Sequence, residues 1–244
     1  MDISVHSESF SVDAINVPAD GVRHNWLVRT THWINAFSFV LLVVSGVAIL
    51  LAHPRFYWGE TGYFDTPAAF ELPLPVNLDQ SGWGRDLHFL AAWITVLNGS
   101  IYLTWGLLSG HFQRKFLPTR AQLQWRRIVV PVRRHFQLPI PSDPSGYHLP
   151  QRLAYLAVVF ALLPLAILSG LTLSPAVTAP WPSLFVLFGG RQSARTIHFL
   201  AACLLVLFLV VHVVTTILSG FVNNMRSMTT GKTAGIYNVP VEKR

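Results

Sequence analysis

The sequence predicts an all-α integral membrane protein, a four-helix bundle threaded up and down with both termini cytoplasmic. Three observations predict it. Four stretches, at about residues 30–52, 87–109, 153–173 and 196–220, are each long enough to cross the bilayer's hydrocarbon as a helix, and none contains Lys, Arg, Asp or Glu. The 244-residue chain is 52% hydrophobic and only 12% charged, against roughly a quarter charged in a soluble domain. The basic residues are also unevenly placed, and their placement sets the orientation.

Residues 1–28 form a polar N-terminal tail. Its first 22 residues lack an apolar core, so no cleavable signal is expected and span one acts as an uncleaved membrane signal. The four-span domain occupies residues 29–225, and residues 226–244 form the C-terminal tail. Of 18 Lys and Arg, eight lie between Gly110 and Arg152, four follow the last span, and Arg23 and Arg29 precede the first. Only Arg55, Arg85, Arg191 and Arg195 fall on the other side. The positive-inside rule therefore puts both tails and the 110–151 loop in the cytoplasm. The net charge of +7 does not indicate nucleic acid, because the basic run RRIVVPVRRHF suits a surface facing anionic membrane lipid.

The outer loop 53–84 carries Arg55 against Glu60, Asp65, Glu71 and Asp79, with many aromatics and prolines. It reads as irregular, with turns rather than strands. Trp26, Trp58, Trp83 and Trp181 flank the spans where interfacial aromatics belong. Pro164 is expected to kink span three and free a carbonyl that neighbours must satisfy. Each span holds a Ser-Gly pair: Ser45-Gly46, Ser109-Gly110, Ser169-Gly170 and Ser219-Gly220. Small residues allow close approach of another helix or a flat macrocycle, and for any single pair ordinary helix packing explains them equally well. The lone Cys203 lies in span four and reads as a small apolar filler rather than a disulfide or haem-attachment residue.

An internal repeat relates spans two and four. Arg85-Asp-Leu-His88-Phe-Leu-Ala-Ala recurs as Arg195-Thr-Ile-His198-Phe-Leu-Ala-Ala. Spans one and three share a weaker likeness, Arg29-Thr-Thr-His32 and Arg152-Leu-Ala-Tyr155.

Four histidines, His32, His88, His198 and His212, fall within the spans. His198 and His212 are fourteen residues apart, close to four helical turns, so both face one side and stand roughly 21 Å apart along the axis. Topology sorts the four by depth: His88 with His198 near the outer face, His32 with His212 near the inner one. Polar groups at such depths are costly and generally functional. Two imidazoles on facing helices suit six-coordinate haem iron, which leaves no open position and favours electron transfer. Two b-type haems are therefore expected, one per pair, with these four histidines as axial ligands to iron. A structural zinc would want four ligands at one point. A proton relay would usually include Asp or Glu. The competing structural reading for each histidine is a hydrogen bond to a neighbouring helix. Arg85, Arg191 and Arg195 stand where an outer haem would present its propionates, and Arg29 stands likewise for the inner haem. Snorkelling helix-end arginines are the alternative.

These residues resemble the prokaryotic cytochrome b561-type family, which includes the dihaem cytochrome b (gamma) subunits of formate dehydrogenases, nickel–iron hydrogenases and thiosulfate reductase-like complexes. The resemblance covers about residues 23–225. It rests on R-x-x-H-W at Arg29–Trp33, R-x-x-H at Arg85–His88, and R-x-x-H with a second histidine at His198 and His212. It implies a membrane-anchoring subunit of the bacterial inner membrane that moves electrons between a periplasmic redox partner and the quinone pool. That partner would be a molybdenum enzyme, an iron–sulfur subunit or a cytochrome c, and loop 53–84 is a plausible docking surface for it. The resemblance also places a quinone pocket at the start of span three, making Tyr147, His148 and Gln151 candidates. Here the chain departs from the family pattern, which has Asn where His148 stands and Gly where Pro150 stands. Residues capping a helix entry are the alternative reading of that stretch. The alternative function is a self-contained enzyme, a b561-like superoxide–quinone oxidoreductase or a transmembrane ferric reductase. A haem carrier or plain scaffold is the non-redox alternative.

Overall fold

The computed structural model describes residues 15–17, 24–62, 66–74, 82–110, 149–232 and 237–239. Its elements run β1 (Ile15–Val17), α1 (Trp26–Ala52), β2 (Arg55–Phe56), β3 (Phe70–Glu71) and α2 (Gly82–Leu108). There follow α3 (Leu149–Ala157), a π-helical turn (Val158–Leu162), α4 (Leu163–Thr172), the short α5 (Pro175–Thr178) and α6 (Ser183–Phe188), α7 (Arg191–Leu218), α8 (Phe221–Thr229) and β4 (Tyr237–Val239). Four helical stretches are long and apolar enough to cross a membrane: Trp26–Ala52, Gly82–Leu108, Leu153–Thr172 and Arg191–Leu218. They match the four expected spans. Three of them begin four or five residues earlier, because the interfacial Trp and Arg that flank each apolar run continue the same helix.

The chain divides into two units, residues Thr30–Thr215, and residues Met1–Arg29 together with Thr216–Arg244. In the larger unit, cross-helix bonds show the threading. Near the start of α1, Thr31 and Asn35 receive the Asn98 amide from late α2, both at 2.8 Å. Near its end, Ser45 meets His88 from early α2. Likewise Ser169, late in α4, meets His198, early in α7, while Tyr155 in α3 meets His212 far along α7. Spans one and two are thus antiparallel, and so are spans three and four.

The buried residues are small or polar: Ala48, Ala91, Ala194, Ala201, Ser38, Ser45, Ser169 and Thr172. Large apolar side chains such as Leu97, Leu107, Leu207 and Val210 point outward. That inversion of a soluble core is what a lipid solvent favours, since small residues let helices approach while lipid receives the Leu and Val. Cys203 also lies on the exposed side, a position open to lipid rather than a filler between helices.

Ahead of Pro164, span three carries a π-helical turn. Pro164 has no N–H to donate one turn back, and just ahead of it Leu163 N–H reaches Val158 O.

The outer loop corrects the expectation of turns without strands. Arg55 pairs with Glu71 and Phe56 with Phe70 in a two-residue antiparallel ladder, and an Arg55–Glu71 ion pair at 3.0 Å spans it. Phe56 stacks on Phe70 with ring centres 4.7 Å apart and packs against Phe199 of α7 at 4.5 Å. A cross-strand aromatic pair that buries one ring against a helix holds register where the ladder alone is too short.

In the smaller unit, β1 and β4 pair antiparallel, Ile15 opposite Val239. The Arg29 Nη1 donates to Thr229 O at 2.6 Å, while its Nε is buried with no partner among the described residues. The helix α8 crosses the expected tail boundary at residue 225.

Candidate haem-binding site

The histidines meet in the two predicted pairs. His88 of α2 and His198 of α7 have ring centres 6.1 Å apart, and His32 of α1 and His212 of α7 have theirs 6.4 Å apart. All four rings are partly buried. Two metal–imidazole bonds of roughly 2 Å each, with the ring radii added, account for such a spacing, so one metal atom fits between the rings of each pair. Among the described residues no three or more His, Cys, Asp or Glu converge on one point. Two imidazoles per site would suit a porphyrin, whose own four nitrogens would supply the remaining ligands to iron.

The hydrogen bonds of the outer pair determine which ring nitrogen is available. Ser45 Oγ donates to Leu41 O at 2.6 Å, so its lone pairs accept from His88 Nδ1 at 3.0 Å. His88 also bonds the backbone of Leu42. On the repeat-related side, Ser169 Oγ donates to Leu165 O at 2.6 Å and lies 3.2 Å from His198 Nδ1, which bonds Ala166 O at 2.9 Å. A backbone carbonyl only accepts, so both imidazoles carry their proton on Nδ1 and present an unprotonated Nε2, the form that binds metal.

The inner pair is furnished differently. His32 Nδ1 is buried without a hydrogen-bond partner among the described residues. His212 Nδ1 lies 3.5 Å from the Tyr155 hydroxyl, and the ring stacks on Phe208 one turn earlier in α7, with centres 5.8 Å apart. A buried, unbonded imidazole nitrogen is costly, so helix packing alone does not account for His32 at this position.

Glycines line the outer rings. A Cβ on Gly46 would stand 3.6 Å from His88 Cε1, and one on Gly170 would stand 3.1 Å from His198 Cε1. The four Ser-Gly pairs thus divide by role. Ser45-Gly46 and Ser169-Gly170 sit inside their helices, against a histidine of the next span. Gly110 and Gly220 instead have φ of 65° and 102° and stand just past the ends of α2 and α7, the left-handed stop that glycine allows.

Of the outer cations, Arg195 donates to His53 O and lies over the Phe56 ring at 5.0 Å. Arg85 and Arg191 are exposed. His53 is held below the usual imidazole range by desolvation first, then by the Arg195 and Arg85 guanidiniums, both near the C-terminal end of α1. Of the quinone candidates, Tyr147 and His148 lie outside the described residues, as does the Gln151 side chain.

Ser45, Ser169, Tyr155 and Phe208 are the neighbours of the histidines that sequence reasoning did not assign to the site. A signal existed for two of them: Ser45 stands before Gly46 as Ser169 does before Gly170, in spans otherwise related only by Arg29–His32 and Arg152–Tyr155.

Comparison with known proteins finds a matching family model and related sequences. The family described as "Prokaryotic cytochrome b561" matches residues 23–231. A putative protein-methionine-sulfoxide reductase subunit YedZ1 of Azospira oryzae is 35% identical over 192 residues, covering 77% of this chain and 86% of that protein. A probable Ni/Fe-hydrogenase B-type cytochrome subunit of Cupriavidus necator is 27% identical over 198 residues, covering 76% of this chain and 74% of its own length. Its counterpart in Bradyrhizobium diazoefficiens is 23% identical over 204 residues, covering 76% and 73%. No solved structure matches.

Proposed function

The chain belongs to the prokaryotic cytochrome b561 family, multi-pass membrane b-type cytochromes of electron transfer, and on that premise we propose that it is a dihaem subunit linking a periplasmic oxidoreductase to the quinone pool. The observation that carries the reading is the pair of ring separations, 6.1 and 6.4 Å, at two depths of one helix bundle. Haem held by each histidine pair would supply a one-electron couple. His88 and His198 hold the outer group, and His32 and His212 hold the inner one. The Ser-bonded Nδ1 atoms keep the outer imidazoles in the metal-binding tautomer. Arg85, Arg191 and Arg195 pair with propionates outside, and Arg29 does so inside.

The protein lies in the bacterial inner membrane with both termini in the cytoplasm. The outer loop 53–84 is the docking surface for a molybdenum enzyme, an iron–sulfur subunit or a cytochrome c. Likeness to proteins named as subunits of two different redox complexes supports a partnered role over a self-contained enzyme. Tyr147, His148 and Gln151, at the inner start of span three, are the proposed quinone contacts.

The test is a haemochrome assay on the purified chain, expected to give two haems b. His198→Ala should remove the outer haem alone and His212→Ala the inner one alone. Retention of two low-spin bis-histidine haems by either variant would show the pairing to be wrong. His148→Ala should slow quinol oxidation with both haem spectra intact, and unchanged kinetics would remove it from the site.

A further inference from the structure

Serine and threonine hydroxyls commonly fold back onto the carbonyl one turn earlier in a helix, and in this protein Thr95, Ser100, Thr172 and Thr215 all do so. Ser45 and Ser169 do it too, yet each also meets an imidazole on the following span, at 3.0 and 3.2 Å. Both are fully buried, at 0% exposure. The match extends to the backbone: the carbonyl three residues before each serine, Leu42 or Ala166, takes a bond from the same imidazole. Two quarters of the molecule thus build a like cradle, a carbonyl and a hydroxyl on one helix holding an imidazole of the next, with Nδ1 facing the hydroxyl in both. The inner pair is held otherwise, with His32 Nδ1 unbonded among the described residues and His212 beside a tyrosine.

We infer that Ser45 and Ser169 are positioning residues that tune the outer site, orienting His88 and His198 and strengthening them as donors to a ferric centre. The inference rests on the haem reading above. Its chemistry follows from the direction of the bonds. Each hydroxyl has committed its proton to its own helix, so toward the imidazole it can only accept. An imidazole whose Nδ1–H is shared with two acceptors is a more basic ligand at Nε2. A more basic axial ligand favours the oxidised iron and so lowers the potential of that site. Loss of the hydroxyl leaves the carbonyl in place, so the ring stays oriented but donates less strongly. Outer-shell partners of this kind carry effects of roughly tenfold or more.

The test uses the full-length chain in detergent or nanodiscs, with Ser45→Ala and Ser169→Ala made separately. Each should keep two haems b per chain and raise the outer midpoint potential by about 59 mV, one decade for a one-electron couple. The low-temperature electron paramagnetic resonance signal of the outer haem should shift, while the inner haem keeps its potential and signal. The outer signals are identified as those missing from His198→Ala. Cysteine at the same position, close in size and a weak acceptor, should return the potential part of the way. If either Ala variant loses the outer haem, the Cys variant is measured in its place against the same expectation. An outer potential and resonance signal at wild-type values, with the haem retained, would overturn the inference. A wild-type chain that binds no haem is a separate result and overturns the underlying reading.

Discussion

Gly46 and Gly170 occupy equivalent places beside the two outer histidines, yet the room beside them differs. A methyl on Gly46 would make ordinary contact with His88 at 3.6 Å, whereas one on Gly170 would stand 3.1 Å from His198, too close without movement of the ring. Both glycines lie inside helices, where alanine is favoured by about 1 kcal/mol, so neither replacement should unfold the chain. Gly46→Ala should therefore leave the outer haem's spectrum unaltered. Gly170→Ala should perturb that spectrum or lower the outer haem's occupancy, and the haemochrome assay and resonance spectrum distinguish the two cases. At this scale the histidines were legible because depth follows from position along a span. The serines were not: their spacing looks like ordinary packing until the facing helix is known. Tyr155 was noted for its place in the repeat, but only the structure brings its hydroxyl to His212.

The outer end of α7 is held by the loop before α2. Gln192 and Ser193 donate backbone N–H groups to Gly59 O, at 2.9 and 3.2 Å, and Ser193 Oγ receives Gly59 N–H at 2.7 Å. Thr196 Oγ1 donates to Tyr57 O at 2.8 Å, with both residues buried. Glu60 Oε2 lies 3.4 Å from Arg191 N at the first turn, where a carboxylate complements the positive end of the helix. The clamp depends on Gly190, whose φ is 116° and whose Cβ would collide with the Gly59 backbone at 2.4 Å. Gly190→Ala is expected to cost about 1–3 kcal/mol from backbone strain alone. It should lower the thermal midpoint and speed protease cleavage in residues 53–62; unchanged cleavage would mean the clamp is not rigid in solution. Asn98 gives a milder case. Its amide joins α2 to α1, and Asn98→Leu should cost roughly 0.6–1.7 kcal/mol, the range measured for hydrogen bonds between membrane helices. The loop's aromatic and proline content predicted turns rather than strands, and the ladder of Arg55–Phe56 with Phe70–Glu71 departs from that. A two-residue ladder carries too little periodicity to read, and its register comes from Phe56 and Phe70 packing on Phe199.

For the whole molecule, the charge distribution predicts cytoplasmic tails. Reporter fusions at residue 244 should report a cytoplasmic C-terminus, and a periplasmic report would invert every depth assignment made above. Gentle solubilisation should recover the chain with an oxidoreductase partner. Glu60→Ala and Asp65→Ala should weaken that association more at low than at high salt, since screened surface charges act mainly through long-range attraction. Because Glu60 also lies against the start of α7, its variant reports the clamp as well as docking. Turnover of superoxide or ferric chelate with quinone by the chain alone would instead favour the self-contained enzyme.

The sequence by itself determined the number of spans and which histidines share a level of the bundle, and it set an expectation of sidedness. The reason is physical: a bilayer varies along one direction only, so the apolar run and its flanking charges set position on that axis. Rotation about each helix axis is not encoded that way, because the lipid looks the same from every side. It is decided by which surfaces of neighbouring helices interlock. Tertiary structure alone therefore decided that His88 turns to Ser45 and His198 to Ser169, that Tyr155 reaches His212, and that Gly59 is tied to the first turn of α7.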